Sequence, residues 1–153
     1  MSSSKKTRRL VILDSHAILH RAYHAVPDFS TSKGVPTGAL YGLSTMLMKI
    51  VDDLKPDYVI ACRDLPGKTL RHEKYEAYKG TRAEAEPELI QQLQKAPEVF
   101  AAFGIPVYGV PGYEADDCIG TIVHELKSRD DIESVIATGD LDALQLVSDK
   151  VRV

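Results

Sequence analysis

The stretch Arg9-Leu-Val-Ile-Leu-Asp14 is a short apolar run that stops at an aspartate. Two later stretches have the same form, Val59-Ile-Ala-Cys-Arg-Asp64 and Val135-Ile-Ala-Thr-Gly-Asp140. Short runs rich in β-branched residues are typical of buried parallel strands. We therefore predict strands at Arg9–Leu13, Asp57–Cys62, Ile105–Val110 and Ser134–Ala137, with a further one at Lys150–Val153.

Amphipathic segments connect these runs. Steps of three and four place one apolar stripe on a predicted helix, with Thr37 as its N-cap: Leu40, Leu43, Leu47, Ile50 and Leu54. A second stripe follows the third strand: Ile119, Ile122, Val123 and Leu126. Strands that alternate with helices indicate a mainly parallel sheet covered by helices. We expect an α/β fold with three layers, α/β/α.

The composition limits the class of protein. A chain of 153 residues fits one domain, and a net charge of −3 excludes a protein that binds nucleic acid through overall basicity. Cys62 and Cys118 are too few for a disulfide framework. Residues 1–7 are not the start of a signal peptide, because no apolar stretch follows them. We expect these residues to be a disordered basic tail. No run reaches the roughly 20 apolar residues that span a bilayer, so we expect a cytoplasmic protein without membrane contact.

Carboxylates follow the predicted strands. Ligands of open parallel sheets bind outside the carboxyl ends of the strands, so these groups should meet at one edge. Seven residues belong to this set: Asp14, Asp64, Glu114, Asp116, Asp117, Asp140 and Asp142. Anions this close repel one another unless a cation lies among them, and oxygen ligands suit Mg²⁺ or Mn²⁺. In the alternative interpretation these residues only cap helices, Glu114, Asp116 and Asp117 at one N-terminus and Asp140 at another.

Residues 65 to 86 differ from the rest of the chain because they have many charges and no continuous apolar stripe. Between Lys68 and Arg82 there are five Lys or Arg and two Glu, with Tyr75 and Tyr78 among them. Cations that bind phosphates and rings that stack on bases are typical of a surface for single-stranded nucleic acid. A solvated charged helix is the alternative. No glycine-rich dinucleotide or P-loop motif is present in the sequence.

These motifs, in this order, resemble the 5′ nuclease domain at the N-terminus of bacterial DNA polymerase I, which is related to phage 5′ exonucleases and flap endonucleases. The resemblance covers residues 9–153 and rests on the following motifs: Leu13-Asp14 with Leu19-His-Arg21-Ala-Tyr23, Lys33-Gly-Val-Pro-Thr37-Gly, Arg71-His-Glu-Lys-Tyr75-Glu-Ala-Tyr78-Lys79-Gly-Thr-Arg82, Gly112-Tyr-Glu114-Ala-Asp116-Asp117 and Thr138-Gly-Asp140-Leu-Asp142. It implies a resolvase-like or PIN-like domain over residues 8–153, with a basic helical arch at about 65–86.

The resemblance also implies an activity, a divalent-metal-dependent 5′-3′ exonuclease or 5′-flap endonuclease in DNA replication and repair. Two ions, Mg²⁺ or Mn²⁺, would bind the seven carboxylates, the tighter one at Asp14, Asp64, Glu114 and Asp116. Lys79 and Arg82 would be catalytic. The expected DNA contacts are Arg21, Lys68, Arg71, Tyr75, Tyr78, Lys79 and Arg82.

Two positions depart from the family pattern, Ser15 where it has glycine and Arg63 where it has phenylalanine. The family domain also continues into a helix-hairpin-helix-like part that this sequence lacks. The resemblance implies DNA 5′ ends, flaps and junctions as partners. The missing C-terminal half or a polymerase is a further expected partner. Two alternative functions remain at this point, a non-catalytic module that binds branched DNA and a toxin-type PIN ribonuclease.

Overall fold

The computed structural model describes residues 7–75 and 85–153, and its centre is a five-stranded sheet in the order β3-β2-β1-β4-β5. All four pairs of neighbouring strands are parallel. The elements are β1 (Arg8–Asp14), α1 (Ser15–Ala25), α2 (Gly38–Leu54), β2 (Tyr58–Cys62), α3 (Leu70–Lys74), α4 (Pro87–Ala102), β3 (Val107–Tyr108), α5 (Ala115–Leu126), β4 (Ile132–Ala137), a 3₁₀ helix (Leu141–Leu146) and β5 (Val151–Arg152).

The core has one half on each face of the sheet, because successive side chains of β1 point to opposite faces. Val11 and Leu13 belong to the cluster that contains α1, α2 and α4. Leu10 and Ile12 belong to the cluster that contains α5 and the 3₁₀ helix. This arrangement confirms the predicted three-layer α/β/α fold.

The predicted strands are present, but one of them is much shorter than expected. The prediction of Ile105–Val110 is wrong at both ends, since β3 contains only Val107 and Tyr108. This strand lies at the edge of the sheet and pairs on one side alone, with β2. Past Tyr108 the chain passes close to the loop after β2, because a Cβ on Gly109 would lie 2.9 Å from Leu65 Cγ. The other four strands match to within two residues.

The predicted helix between the first two strands is α2, but Thr37 does not cap it through its side chain. The cap comes instead from Gln92 of α4, which is only 2% exposed. Its Oε1 accepts hydrogen bonds from the N–H groups of Ala39 at 2.8 Å and Leu40 at 3.2 Å, while its Nε2 donates to the carbonyl of Glu88 at 3.2 Å. A buried side chain of another helix therefore accepts hydrogen bonds from the N–H groups at the start of α2.

Helices α1 and α2 pack closely where Gly42 faces Ala22. A Cβ built on Gly42 would lie 2.9 Å from the Cβ of Ala22 and 3.3 Å from its Cα. Real Cβ atoms are not found at such a distance, so the helices could not come this close with a larger residue at position 42.

The basic segment is described only in part. It contains α3, and the backbone N–H of Leu70 donates to the carbonyl of Gly112 at 2.9 Å, which holds α3 beside the start of α5. Tyr78, Lys79 and Arg82 lie outside the described residues, as does most of the predicted N-terminal tail.

Both cysteines are free and buried, as expected. Within the described ranges, no helix is long and apolar enough to cross a bilayer.

Candidate active site

A cleft of about 1110 Å³ opens at the carboxyl ends of β1, β2 and β4. All seven predicted carboxylates line it: Asp14, Asp64, Glu114, Asp116, Asp117, Asp140 and Asp142. They come from four separate parts of the sequence, and the parallel sheet brings those parts to one edge. The predicted convergence is therefore a feature of the structure, whatever role each residue has.

Asp14 lies at the centre of this edge. It is the last residue of β1 and the N-cap of α1, and its Oδ1 accepts a hydrogen bond from the N–H of Ala17 at 3.1 Å. Its Oδ2 accepts a hydrogen bond from Thr138 Oγ1 at 2.8 Å. Each carboxylate oxygen has two lone-pair sites, so both oxygens retain capacity for a cation. Thr138 thus connects the end of β1 to the loop after β4.

Asp64 joins two further elements. Its Oδ1 accepts a hydrogen bond from the N–H of Ala115, the first residue of α5, at 2.6 Å. The N–H of Asp64 in turn donates to Nδ1 of His16 at 3.4 Å. The loop after β2 is thereby fixed against both α1 and α5.

Several of the acids also cap helices, which was the alternative interpretation. Asp117 Oδ2 accepts from the N–H of Glu114 at 3.0 Å, and Asp140 Oδ1 accepts from the N–H of Asp142 at 2.9 Å. These hydrogen bonds satisfy N–H groups at the starts of α5 and of the 3₁₀ helix. Since the same residues line the cleft, capping and convergence occur together.

Arg71 of α3 bridges two of the acids. Its Nη1 lies 2.7 Å from Oε2 of Glu114, and its Nη2 lies 2.7 Å from Oδ1 of Asp117. Arg71 was predicted as a DNA contact, whereas in the structure its guanidinium binds carboxylates of the cleft. This contact could not be derived from the sequence, because more than 40 residues separate the partners.

Asp116 shows how strongly negative the cleft is. Burial, together with the charges of Asp14, Asp140, Asp64 and Glu114, raises the pKa of Asp116 to about 6. A carboxyl among other carboxylates binds a proton more readily because its charged form is repelled. A divalent cation would relieve the same repulsion.

The donors fit a hard divalent cation, since they supply oxygen only. In residues 7–75 and 85–153, no three His, Cys, Asp or Glu side chains are arranged so that they could hold one ion. Glu114 and Asp117 point to Arg71 instead.

The residues predicted to bind DNA lie in different places. Arg21 is exposed on α1 and lines a shallow depression beside the cleft, together with Asp140 and Leu141. Lys68 and Tyr75 are exposed, Tyr75 by 69%. Among the predicted contacts that the structure describes, Arg71 is the one that lines the cleft itself.

The structure adds residues that the motifs did not indicate. His16, His20 and His24 line the cleft from α1, and His124 does so from α5. The spacing of four residues along α1 was the available signal, since it puts them on one helix face. Next to His24, the hydroxyl of Tyr23 donates to the carboxylate of Glu86, and this hydrogen bond raises the pKa of Tyr23 to about 12.

Comparison with known proteins identifies the family to which the chain belongs. Residues 9–153 match the 5′-3′ exonuclease, N-terminal resolvase-like domain. The chain belongs to this family. It is 41% identical over 145 residues to DNA polymerase I of Caldicellulosiruptor bescii and 38% identical over 146 residues to that of Bacillus subtilis. Each match covers 95% of the chain but only 17% and 16% of the respective polymerase.

Solved structures agree on the fold of this 5′-3′ exonuclease family domain. The T5 D15 protein co-crystallised with metal ions superposes with a TM-score of 0.73 at 21% identity, over 94% of this chain and 54% of that one. The T5 5′-exonuclease with bound zinc gives a TM-score of 0.70 at the same identity and coverage. The predicted family and the predicted resolvase-like fold are both confirmed.

Proposed function

We propose that this chain carries the metal-dependent centre of a 5′-3′ exonuclease or 5′-flap endonuclease that hydrolyses DNA in replication and repair. One observation carries the proposal, namely that seven carboxylates from four parts of the sequence line one cleft in a domain of the 5′-3′ exonuclease family. Carboxylates that served only as helix caps would not need to line the same cleft.

The carboxylates divide into two groups. Asp14, Asp64, Glu114 and Asp116 would hold the tighter ion, and Asp117, Asp140 and Asp142 would help to place the second. Mg²⁺ or Mn²⁺ held by these residues would supply Lewis-acid activation of water and stabilisation of negative charge. The protein fixes the first group by hydrogen bonds, since Thr138 and the N–H of Ala17 hold Asp14. Such fixation orients ligand oxygens before an ion arrives.

The basic residues would bind the nucleic acid. Lys79 and Arg82 are proposed to neutralise the scissile phosphate, with Arg21, Lys68, Tyr75 and Tyr78 along the strand that leads to it. A T5 D15 flap endonuclease with a TM-score of 0.65 has been crystallised with DNA and metal ions, which supports this class of substrate. DNA 5′ ends and flaps are the proposed partners, and the relatives add a polymerase portion.

A flap-cleavage assay tests the function. The chain, in excess over a 5′-labelled flap substrate, should cut DNA with Mg²⁺ or Mn²⁺ and not with EDTA, while Asp14→Asn with Asp64→Asn should abolish cutting. The amide oxygen of asparagine can accept the hydrogen bond from Ala17 at position 14 and that from Ala115 at position 64, and its NH₂ group at position 14 can donate to Thr138 Oγ1. The double variant should therefore remain folded by circular dichroism. Glu125→Gln, an exposed change on α5, is the matched control and should cut normally.

Mn²⁺ should also raise the melting temperature of the wild-type chain, because an ion that binds only the folded state stabilises it. The double variant should lose this rise. Flap binding without cutting under every metal condition would identify a non-catalytic DNA-binding module. Cleavage of RNA in preference to DNA would identify a toxin-type ribonuclease.

A further inference from the structure

We propose that Arg71 is an internal counter-ion that holds Glu114 and Asp117 in the metal-free protein and is exchanged for a divalent cation when the cleft is loaded. The inference rests on the proposed function, which assigns both carboxylates to metal binding. It adds a positioning residue whose first partners are protein carboxylates, not DNA.

Burial makes a counter-ion necessary. The side chain of Glu114 is 6% exposed and that of Asp117 is 30% exposed. A buried carboxylate without a partner is strongly unfavourable, and the two groups lie within one turn of each other at the start of α5. The planar guanidinium gives each of them a charge-assisted hydrogen bond at 2.7 Å.

The same geometry puts Arg71 in competition with an ion. Arg71 binds Oε2 of Glu114 and Oδ1 of Asp117, and Oδ2 of Asp117 already accepts from the N–H of Glu114. A divalent ion on these carboxylates would be placed next to a guanidinium of the same sign. Since like charges repel, at least one arm of Arg71 must leave before the ion can bind fully.

Release of Arg71 would not undock α3. The backbone hydrogen bond from Leu70 to Gly112 holds α3 beside α5 without the guanidinium, and the neighbouring Thr69 is buried. Once released, the guanidinium would stay at the wall of the cleft, where a DNA phosphate can take the place of the carboxylates. Metal loading would therefore free a cation for the substrate, and the two binding events would strengthen each other.

Calorimetric titration with Mn²⁺ in the absence of DNA tests the exchange on wild type, Arg71→Ala and Arg71→Lys. Arg71→Ala should bind Mn²⁺ about tenfold more tightly than wild type, a difference of about 1.4 kcal/mol. Arg71→Lys keeps the charge but loses the two-armed contact, so its affinity should fall between them. Lys74→Ala removes an equal charge from an exposed position on the same helix and should change the affinity by less than about twofold.

Stability gives an independent readout. In EDTA, Arg71→Ala should have a lower melting temperature than wild type because Glu114 and Asp117 each lose an ion pair, and saturating Mn²⁺ should reduce this difference in melting temperature. If Arg71→Ala does not fold without metal, Arg71→Lys provides the affinity comparison. With a 5′-phosphorylated phosphorothioate oligonucleotide, Mn²⁺ should strengthen DNA binding by a larger factor in wild type than in Arg71→Lys.

Equal or weaker Mn²⁺ affinity in both Arg71 variants would overturn the exchange and show that Arg71 supports the ligands. If Mn²⁺ strengthens DNA binding by the same factor in wild type and in Arg71→Lys, the proposal that Arg71 moves from the carboxylates to a DNA phosphate is overturned. A wild-type chain that binds no Mn²⁺ would instead refute the proposed function. The failures of the two proposals are thus distinguishable.

Discussion

Asp116→Asn provides a direct test of the charge in the cleft. The pKa of Asp116 is raised to about 6 in the folded protein, whereas an aspartate in an unfolded chain titrates near about 3.9. The folded state therefore holds this proton more tightly than the unfolded state. The resulting stabilisation is complete below about pH 3.9 and is lost as the pH rises through about 6.

The size of the effect follows from that difference. A pKa shift of about two units corresponds to about 3 kcal/mol, and solvent screening of the partly exposed carboxyl reduces this to about 1.5 kcal/mol. Asparagine has nearly the same shape and is neutral at every pH. At pH 7.5, in EDTA, Asp116→Asn should therefore unfold about 3 to 6 °C above wild type. At pH 5.0 about half of this difference should remain, and below about pH 3.9 the two should nearly coincide.

Thermal unfolding followed by circular dichroism measures this difference at both pH values. Glu125→Gln, which removes an exposed charge from the same helix, should show no comparable pH-dependent gain. Added Mn²⁺ should stabilise wild type more than Asp116→Asn, because the variant lacks a ligand charge. The reasoning is refuted if Asp116→Asn is less stable than wild type at pH 7.5, or if its gain is the same at both pH values.

Two further predictions concern the fold. Gln92→Leu leaves the buried N–H of Ala39 and the partly buried N–H of Leu40 without an acceptor and should lower the free energy of unfolding by about 2–4 kcal/mol, whereas Thr37→Ala should change it by less than about 0.5 kcal/mol. Urea denaturation compares them, and a larger loss in Thr37→Ala would contradict the assigned cap. Gly42→Ala should cost about 1–3 kcal/mol because its methyl group meets Ala22. A stabilised variant would show that separating α1 and α2 costs less than the roughly 1 kcal/mol by which alanine is favoured over glycine within a helix.

The strands and the acidic edge were predictable because both depend on local pattern and general topology. The apolar run before Asp14 identifies β1 without further information. Once the strands are parallel, the acids after them must lie at one edge, as the cleft confirms. The first inference uses only the order of residues within a short window, and the second adds the general rule that parallel strands end at one edge of the sheet.

Features that depend on distant partners were not predictable. Arg71 meets Glu114 and Asp117 across more than 40 residues, and Gln92 caps a helix that begins about 50 residues earlier. Nothing in the local sequence of either residue indicates these contacts.

Helices α1 and α4 were not predicted from an apolar stripe. In α1 the imidazoles that line the cleft take up one face of the helix, so polar residues dilute its apolar stripe. In α4 the buried face includes a glutamine, and Pro97 lies within the helix, where proline usually marks an end.

The central position of β1 has a consequence for biosynthesis. The strand that ends in Asp14 pairs with β4 across more than 120 residues, and Thr138, which follows β4, donates to Asp14. A nascent chain on the ribosome therefore lacks a complete cleft until β4 and the loop after it have emerged from the exit tunnel. The carboxylates at positions 140 and 142 are the last of the seven to be synthesised. The full set of seven carboxylates can therefore meet in one cleft only after translation has passed position 142.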